Sequence, residues 1–280
     1  MTHIFVIAGI SRPQLDASLS TAAAAGATLV GMKIAVAMTP RLLCEPQRHA
    51  VAVVDVLRAS TSLVTMFEGG LLRAMISENV AQAHDLARRN FALLCGEVDA
   101  VPPDGFDYGN SPAEFAGLSF KGKSAVLYTT NGTRAIHAAA QAPVVIAAAL
   151  MNRRAAAQRL VAEAASRDLD IAVVCAGVKA GVAFSLEDTA AAGAIVEAAC
   201  EAEGAIRLTD EAFAAMHLWQ WYEGDTGRMF RESAHGRLLA RLGFDDDLRQ
   251  AGQIDISEAV PVLYDDDGVK TLRTRPPRRV

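Results

Sequence analysis

Four clusters of polar residues interrupt the apolar runs of this 280-residue chain, each where a strand-like pattern gives way to a helical one. In an open parallel α/β sheet ligands bind outside the carboxyl ends of the strands, so these are the places where chemistry would sit. The first, Asp55-Val-Leu-Arg58-Ala-Ser60-Thr61, sets a carboxylate, then a guanidinium, then two hydroxyls opening a helix. A carboxylate able to hold Mg²⁺, a fork able to hold an anion and unpaired helix N–H groups together suit a phosphoryl group. The same residues also read as a capped helix beside an Asp–Arg pair. The second cluster is Gly96-Glu97 with the Gly/Pro-rich loop 101–112, which contains Asp107, Asn110 and Ser111. Its composition is that of turns, and its length that of a lid or binding loop. The third, Thr129-Thr130-Asn131-Gly132-Thr133-Arg134, runs through an Asn-Gly turn into a helix whose N-terminus could carry an anion held by Thr133 and Arg134. An ordinary turn and cap is the alternative. The fourth is Cys175-Ala-Gly followed by Ser185-Leu-Glu187-Asp188-Thr189. Ser185 and Asp188 have the spacing of a capping box, which leaves Glu187 without a structural explanation. Two carboxylates after a strand can bind a divalent metal or activate a water.

Other patterns resolve as decoys. Residues 117–124 (GLSFKGKS) match the spacing of a phosphate-binding P-loop. Such a loop follows a strand and opens a helix, whereas this one precedes the strand that begins near Ala125, so no NTPase is expected. Asp55 is followed by Leu57 rather than a second acid, and no cysteine begins a Cys-x5-Arg loop. Cys175 reads as a small buried thiol or, in the alternative, as a nucleophile. His217 reads as a packed helix residue, while His235 before Gly236 at a helix start can face a cleft.

The elements that must position these clusters follow from the alternation of β-branched runs with amphipathic segments, the mark of βα units and a mainly parallel sheet. Strands are predicted at Lys33–Met38, Val51–Val56, Ala74–Ser77, Ala92–Leu94, Ser124–Tyr128, Val144–Ala147 and Asp170–Val174. Helices are predicted at Thr61–Glu68, Val80–Arg89, Thr133–Ala140, Arg153–Arg167 and Leu186–Glu203, with Asn79 and Asn152 as N-caps. The later segment reads as more helical and ends in a basic tail, Arg273–Arg279. Residues 1–31 read as an N-terminal extension or a misassigned start before Met32, or else as one extra strand and helix. The segments 51–59 and 124–135 share a strand, a polar turn and an arginine, which hints at duplication.

A content of 51% hydrophobic and 21% charged residues excludes a disordered chain and a collagen-like fibre. With 27 basic against 32 acidic residues and a formal net charge of −5 there is no footprint for nucleic acid, so any phosphate site must be built locally. Four widely spaced cysteines without a Cys-x-x-Cys pair fit a reducing compartment, and no apolar run reaches the roughly 18 residues needed to span a bilayer. A cytoplasmic protein without membrane attachment is therefore expected.

Taken in chain order, Asp55-Val-Leu-Arg-Ala-Ser-Thr, Gly-Phe-Asp107-Tyr-Gly-Asn110-Ser-Pro, Thr-Thr-Asn131-Gly-Thr-Arg134-Ala, Cys175-Ala-Gly with Phe-Ser185-Leu-Glu187-Asp188-Thr, and Ser233-Ala-His-Gly236 resemble the 2-phosphosulfolactate phosphatase (ComB) family. The resemblance runs from about Met32 to Pro261. It implies a three-layer α/β/α fold of two similar halves, here about 32–150 and 151–265, and a Mg²⁺-dependent hydrolase that converts 2-phospho-3-sulfolactate to sulfolactate on a route toward coenzyme M. Family positions are matched at Asp55, Arg58, Asn110, Asn131, Thr133, Arg134, Glu187 and Asp188, while Ser60 stands where threonine is common. In the mechanism these residue types suggest, Asp55 with one or more of Glu97, Glu187 and Asp188 holds the metal, and Arg58 and Arg134 offset phosphoryl charge. Asn110, Asn131 and Lys179 are candidates for a second anionic group, and Gly132, Thr133, Cys175 and Ser185 complete the expected substrate site. A covalent route through Ser60, Thr61 or Cys175 stays open. The expected partner is a small anionic phosphorylated hydroxyacid, with a homodimer as an open question. The alternatives are a phosphatase of another 2-phospho-hydroxyacid and a non-catalytic anion-binding module.

Overall fold

In the computed structural model residues 31–276 are described, so the expectations for 1–31 and for the last arginines of the tail lie outside the described residues. Ten strands form one sheet: β1 (Lys33–Ala37), β2 (His49–Val54), β3 (Arg73–Ile76), β4 (Leu93–Gly96), β5 (Ser124–Tyr128), β6 (Val144–Ala148), β7 (Asp170–Cys175), β8 (Arg207–Leu208), β9 (Val262–Asp266) and β10 (Val269–Arg273). Their order is β4-β5-β3-β10-β9-β6-β2-β7-β1-β8. Within β6-β2-β7-β1-β8 and within β4-β5-β3 all pairings are parallel. The two blocks are joined by the antiparallel hairpin β9–β10, so they run in opposite directions.

Ten α-helices are described: α1 (Ala59–Glu68), α2 (Val80–Asn90), α3 (Pro112–Ala116), α4 (Gly132–Ala139), α5 (Arg153–Arg167), α6 (Leu186–Ala202), α7 (Asp210–Tyr222), α8 (Thr226–Glu232), α9 (Ala234–Arg241) and α10 (Asp245–Ala251). Successive strand residues point to opposite faces, and both faces here are apolar. Ala50, Ala52 and Val54 of β2 pack with α5, α6 and α7, whereas Val51 and Val53 pack with α1 and α4. The outcome is the expected three-layer α/β/α arrangement. The second cluster also takes in Ala74, Ala125 and Leu127 from the other parallel block, so both blocks of the sheet close on α1 and α4.

Helix α6 is alanine-rich because it is enclosed. Residues 188–196 are all buried, and a Cβ on Gly193 would lie 1.9 Å from the carbonyl oxygen of Ala215 in α7. Only glycine permits that approach, and the small side chains around it let α6 sit between the sheet and α7 without loss of helix propensity.

Several expectations need correction. The C-terminal region returns to the sheet as β9–β10, and Arg273, assigned to the basic tail, lies in β10 and pairs with Asp266. The hairpin turns at Asp267-Gly268, both with positive φ, the signature of a two-residue primed turn. Position 150 does not divide the fold in space, because β7 inserts between β2 and β1, and the chain from Met32 on forms one compact unit. Asn79 caps α2 by accepting from the Gln82 amide, as expected. Asn152 does not cap α5: its Oδ1 accepts from the Ala149 amide and its Nδ2 donates to the Ala259 carbonyl, so it ties the turn after β6 to the strand β9 approach.

Candidate active site

The turns after β2, β4, β5 and β7 meet at one place, each for a local reason. After β2 the chain turns on Asp55 and Ser60. The Asp55 amide donates to Ser60 Oγ (3.1 Å), Ser60 Oγ donates back to the Asp55 carbonyl (2.8 Å), and Thr61 Oγ1 donates to the Val56 carbonyl (2.8 Å). Both hydroxyl hydrogens of Ser60 and Thr61, which are expected to be catalytic, are thereby committed to closing the turn into α1. The Asp55 carboxylate accepts from the Ala59 amide through Oδ1 (3.3 Å), while its Oδ2 accepts nothing from the described residues.

Gly132 opens α4 directly against this corner. A Cβ there would stand 2.5 Å from Cβ of Ala59 and 2.6 Å from Oδ2 of Asp55, so the N-termini of α1 and α4 touch only because residue 132 has no side chain. Helix α6 joins them through Asp188. Its Oδ1 accepts from the Val56 amide (2.9 Å) and its Oδ2 from the Gly177 amide (3.0 Å), so the start of α6 is clamped to the turns after β2 and β7. Three helix N-termini thus converge, and their partial positive charge favours anions. Ser185 caps α6 by accepting from the Asp188 amide (3.2 Å), but Asp188 does not return the bond, so only half of the expected capping box forms. Glu187, buried in the first turn of α6, accepts no hydrogen bond from the described residues.

Glu97, at the end of β4, accepts from the amides of Ala100 (2.7 Å) and Thr130 (2.8 Å), which pins the loop after β4 to the loop after β5. The long 101–112 segment is not a free lid. The Leu94 amide donates to Asp107, and Ser111 caps α3, which delivers a buried Asn110 whose Oδ1 has no donor. Burial pushes the Asp55 carboxyl up to about 7 against the hydrogen bond from the Ala59 amide, with further upward effects of the nearby carboxylates Glu97 and Glu187 and a smaller downward one of Arg58. Burial, with Asp55 and Glu187, likewise raises Asp188 well above the usual carboxylate range. Burial lowers His235, in the first turn of α9, although Glu187 and Glu97 oppose it. These couplings bring Asp55, Arg58, Glu97, Glu187, Asp188 and His235 into one group.

The remaining expected residues divide. Thr133 Oγ1 donates to the Thr129 carbonyl (2.8 Å) while the Thr133 amide donates to Thr129 Oγ1 (3.2 Å), a self-contained closure of the turn into α4. Asn131 Oδ1 accepts from the Ala180 amide (2.9 Å) and so braces the loop after β7. Arg134 and Lys179 are exposed. Cys175, expected in the substrate site and in the alternative as a nucleophile, is fully buried in the core cluster with α6, and burial pushes its thiol far up, against the thiolate that a nucleophile requires.

Residues 38–266 match the family model described as 2-phosphosulpholactate phosphatase. The chain is 40% identical over 221 residues to a probable 2-phosphosulfolactate phosphatase of Deinococcus radiodurans, an alignment covering 78% of this chain and 88% of that protein. It is 36% identical over 226 residues to one of Pseudothermotoga lettingae (80% and 93%) and 37% identical over 218 residues to one of Symbiobacterium thermophilum (77% and 91%). The chain belongs to the 2-phosphosulfolactate phosphatase family. With that it joins the phosphoric monoester hydrolases.

For a member of this phosphatase family the donor set around Asp55 can be tested against a divalent cation. Among the described residues no three acids, histidines or cysteines enclose an ion by themselves. Mg²⁺, however, takes only one or two carboxylates and completes its shell with water and phosphate oxygens. Asp55 Oδ2 and the Glu187 carboxylate, two hard and uncommitted oxygen donors beside an excess of buried negative charge, fit that description. Asp188 and Glu97 already accept a main-chain N–H on each oxygen, so they position the other two. Two site neighbours carried signals too weak to assign from sequence alone. His235 stood out only by its place before Gly236, and Asp247, which pairs with Arg58 at 2.7 Å, lies in an acidic run that reads as a solvated helix start.

Proposed function

We propose that this protein hydrolyses the phosphate monoester of 2-phospho-3-sulfolactate, giving 3-sulfolactate and inorganic phosphate, with Mg²⁺ bound by Asp55 and Glu187. The observation that carries the reading is that these two uncommitted carboxylates, the Arg58 guanidinium and the N-termini of α1, α4 and α6 share one buried corner. The family membership and the relatives' names support the substrate.

Bound Mg²⁺ would neutralise phosphoryl oxygens and lower the pKa of a coordinated water. Asp55, whose carboxyl burial raises to about 7, would be ionised when it holds the cation. Arg58 and the amides at the helix openings offset charge on the equatorial phosphoryl oxygens, where phosphoryl transfer gains most. The depressed His235 is a neutral imidazole near pH 7 and so can accept a proton from the attacking water or return one to the leaving alkoxide. Asn110, with a buried oxygen lacking a donor, meets a hydroxyl or water of the substrate. Arg134 and Lys179, both exposed, meet the carboxylate or sulfonate at the rim.

The reading extends to a cytoplasmic enzyme serving a route toward coenzyme M, supported by four unpaired cysteines and by the lack, among the described residues, of a helix able to cross a membrane. Phosphate release from 2-phospho-3-sulfolactate and from 2-phospholactate, with Mg²⁺ and with EDTA, tests it. Metal-dependent turnover that is faster with the sulfonate is expected. Equal rates on both compounds would assign the protein to 2-phospho-hydroxyacids in general, and binding without turnover would leave an anion-binding module.

A further inference from the structure

Arg58 is gripped by groups far from it in sequence. Its Nη1 donates to Oδ2 of Asp247 at 2.7 Å, Nη2 reaches the Ala100 carbonyl at 3.4 Å, and the Phe244 ring centre lies 4.4 Å from the guanidinium carbon. The side chains of Arg58 and Asp247 are 3% and 1% exposed. The second oxygen of Asp247 accepts from Ser111 Oγ (2.5 Å) and from the Ala113 amide (3.1 Å). One carboxylate from α10 therefore fixes both the cation that follows β2 and the end of the loop that carries Asn110.

A buried ion pair is on its own a poor source of stability, because desolvation offsets most of the attraction. At this position it has another consequence. Arg58, held by Asp247, follows Asp55 by three residues, and its charge is felt by both Asp55 and His235, which also feel the acids Glu97 and Glu187. Freed from Asp247, the guanidinium would turn to those acids and occupy the space that a phosphoryl group or cation needs.

We infer that Asp247 is a positioning residue: it holds the planar fork of Arg58 away from the Asp55–Glu187 pair and aimed at the phosphoryl group. The inference rests on the role given to Arg58 above. Lysine cannot replace such a fork, since its single nitrogen cannot serve Asp247 and the Ala100 carbonyl from two fixed points and offers no plane to stack on Phe244.

A double-mutant cycle in the full chain separates positioning from plain stability. Asp247→Asn is expected to lower kcat on 2-phospho-3-sulfolactate about 10²-fold with KM within about threefold, the split expected when a group acts on the transition state. Arg58→Lys is expected to lower kcat by about 10²-fold or more, and the double variant to be no worse than Arg58→Lys by more than about threefold. Losses that multiply, or an unimpaired Asp247→Asn beside a crippled Arg58→Lys, overturn the inference alone. A fully active Arg58→Lys overturns it together with the reading of Arg58. If Asp247→Asn does not fold, Asp247→Glu takes its place. The displaced carboxylate is expected to lower kcat about tenfold in the Arg58 protein and to add nothing in the Arg58→Lys protein, whereas an equal added loss in both overturns the proposal.

Discussion

The turns β2–α1 and β5–α4 share a weak sequence recurrence, each an apolar strand, a polar turn and an arginine, and their helix openings touch in the fold. Their chemistry is opposite. In the β5–α4 corner Thr129 and Thr133 exchange hydrogen bonds with one another and leave no polar atom seeking a partner, while Arg134 points its charge into water. In the β2–α1 corner the hydroxyls of Ser60 and Thr61 close the turn, which leaves the Asp55 carboxylate with an uncommitted oxygen and a proton held to about pH 7. Arg58 is buried and tied to a distant helix. A strand end thus becomes a reagent when its polar group is denied a local partner, and a wall when the turn satisfies itself.

The largest expected break in this contrast is Asp55→Asn. It keeps the shape of the corner and removes the charge proposed to face phosphate and Mg²⁺, so kcat is expected to fall about 10³-fold or more. The counterpart in the other corner, Thr133→Val, loses two internal hydrogen bonds and is expected to cost about 1–3 kcal/mol of stability, with kcat little changed. Phosphate-release assays beside thermal melts distinguish the two. Equal catalytic losses would mean that both corners do chemistry.

Next in size is Gly132→Ala, at the point where the corners meet. The added methyl would stand 2.6 Å from Asp55 Oδ2, against an ordinary contact well above 3 Å, so the carboxylate or α4 must shift. Overpacking of this kind costs about 1–3 kcal/mol, and a displacement of about 1 Å at a reacting group can lower the rate about 10²-fold. Gly193→Ala, blocked by the Ala215 carbonyl at the α6–α7 contact, is the control that is expected to lower the melting temperature alone.

Much of this arrangement was legible in the sequence, for reasons visible in particular residues. The strand at Ser124–Tyr128 and the helix at Arg153–Arg167 were predicted to the residue because periodicity and flanking turns agree there. The acids at 55, 97, 187 and 188 could be grouped because each follows a strand. What the pattern did not carry was how far each side chain is satisfied locally. The motif that places Ser60, Thr61 and Cys175 beside Asp55 does not say that the hydroxyls bond backwards or that the thiol faces the core. Nor did it reveal Asp247, since a pair 189 residues apart leaves no local trace. The β9–β10 hairpin had its signal in Asp267-Gly268 between alternating strands, masked by the charged residues around it.

A smaller effect sharpens the comparison through pH. Because burial raises Asp55 from 3.8 to about 7, metal-free folded protein keeps a proton there at pH 5–6 that the unfolded chain has already lost. At this group the folded state then binds more protons, so the contribution of Asp55 to stability is greatest below about pH 4 and declines as pH rises toward 7, by at most about 1.4 kcal/mol per pH unit for one proton. Thermal melts in EDTA are expected to show this decline in wild type and a flatter profile in Asp55→Asn. Mg²⁺ added above pH 7 is expected to raise the melting temperature of wild type and to do much less for the variant. A wild-type profile that runs parallel to that of Asp55→Asn from pH 4 to 7 would show that Asp55 is ionised in the folded state, and the contrast with the self-satisfied corner would lose its electrostatic basis.

The smallest expected effect concerns Arg134. Among the described residues it makes no ion pair, and it is exposed, so Arg134→Ala is expected to leave stability within about 0.5 kcal/mol. An exposed cation at the rim attracts an anionic substrate through screened charge, which raises its local concentration without touching the transition state. KM for 2-phospho-3-sulfolactate is therefore expected to rise by up to about tenfold in this variant at low salt, with kcat within about twofold, and the difference to shrink as ionic strength increases. Arg58→Lys is expected to show the reverse split, a kcat loss that salt does not erase, because that guanidinium is buried. A kcat loss in Arg134→Ala that persists at high salt would mean that α4 closes over the phosphoryl group when substrate binds, and the β5–α4 corner would then be a second reagent.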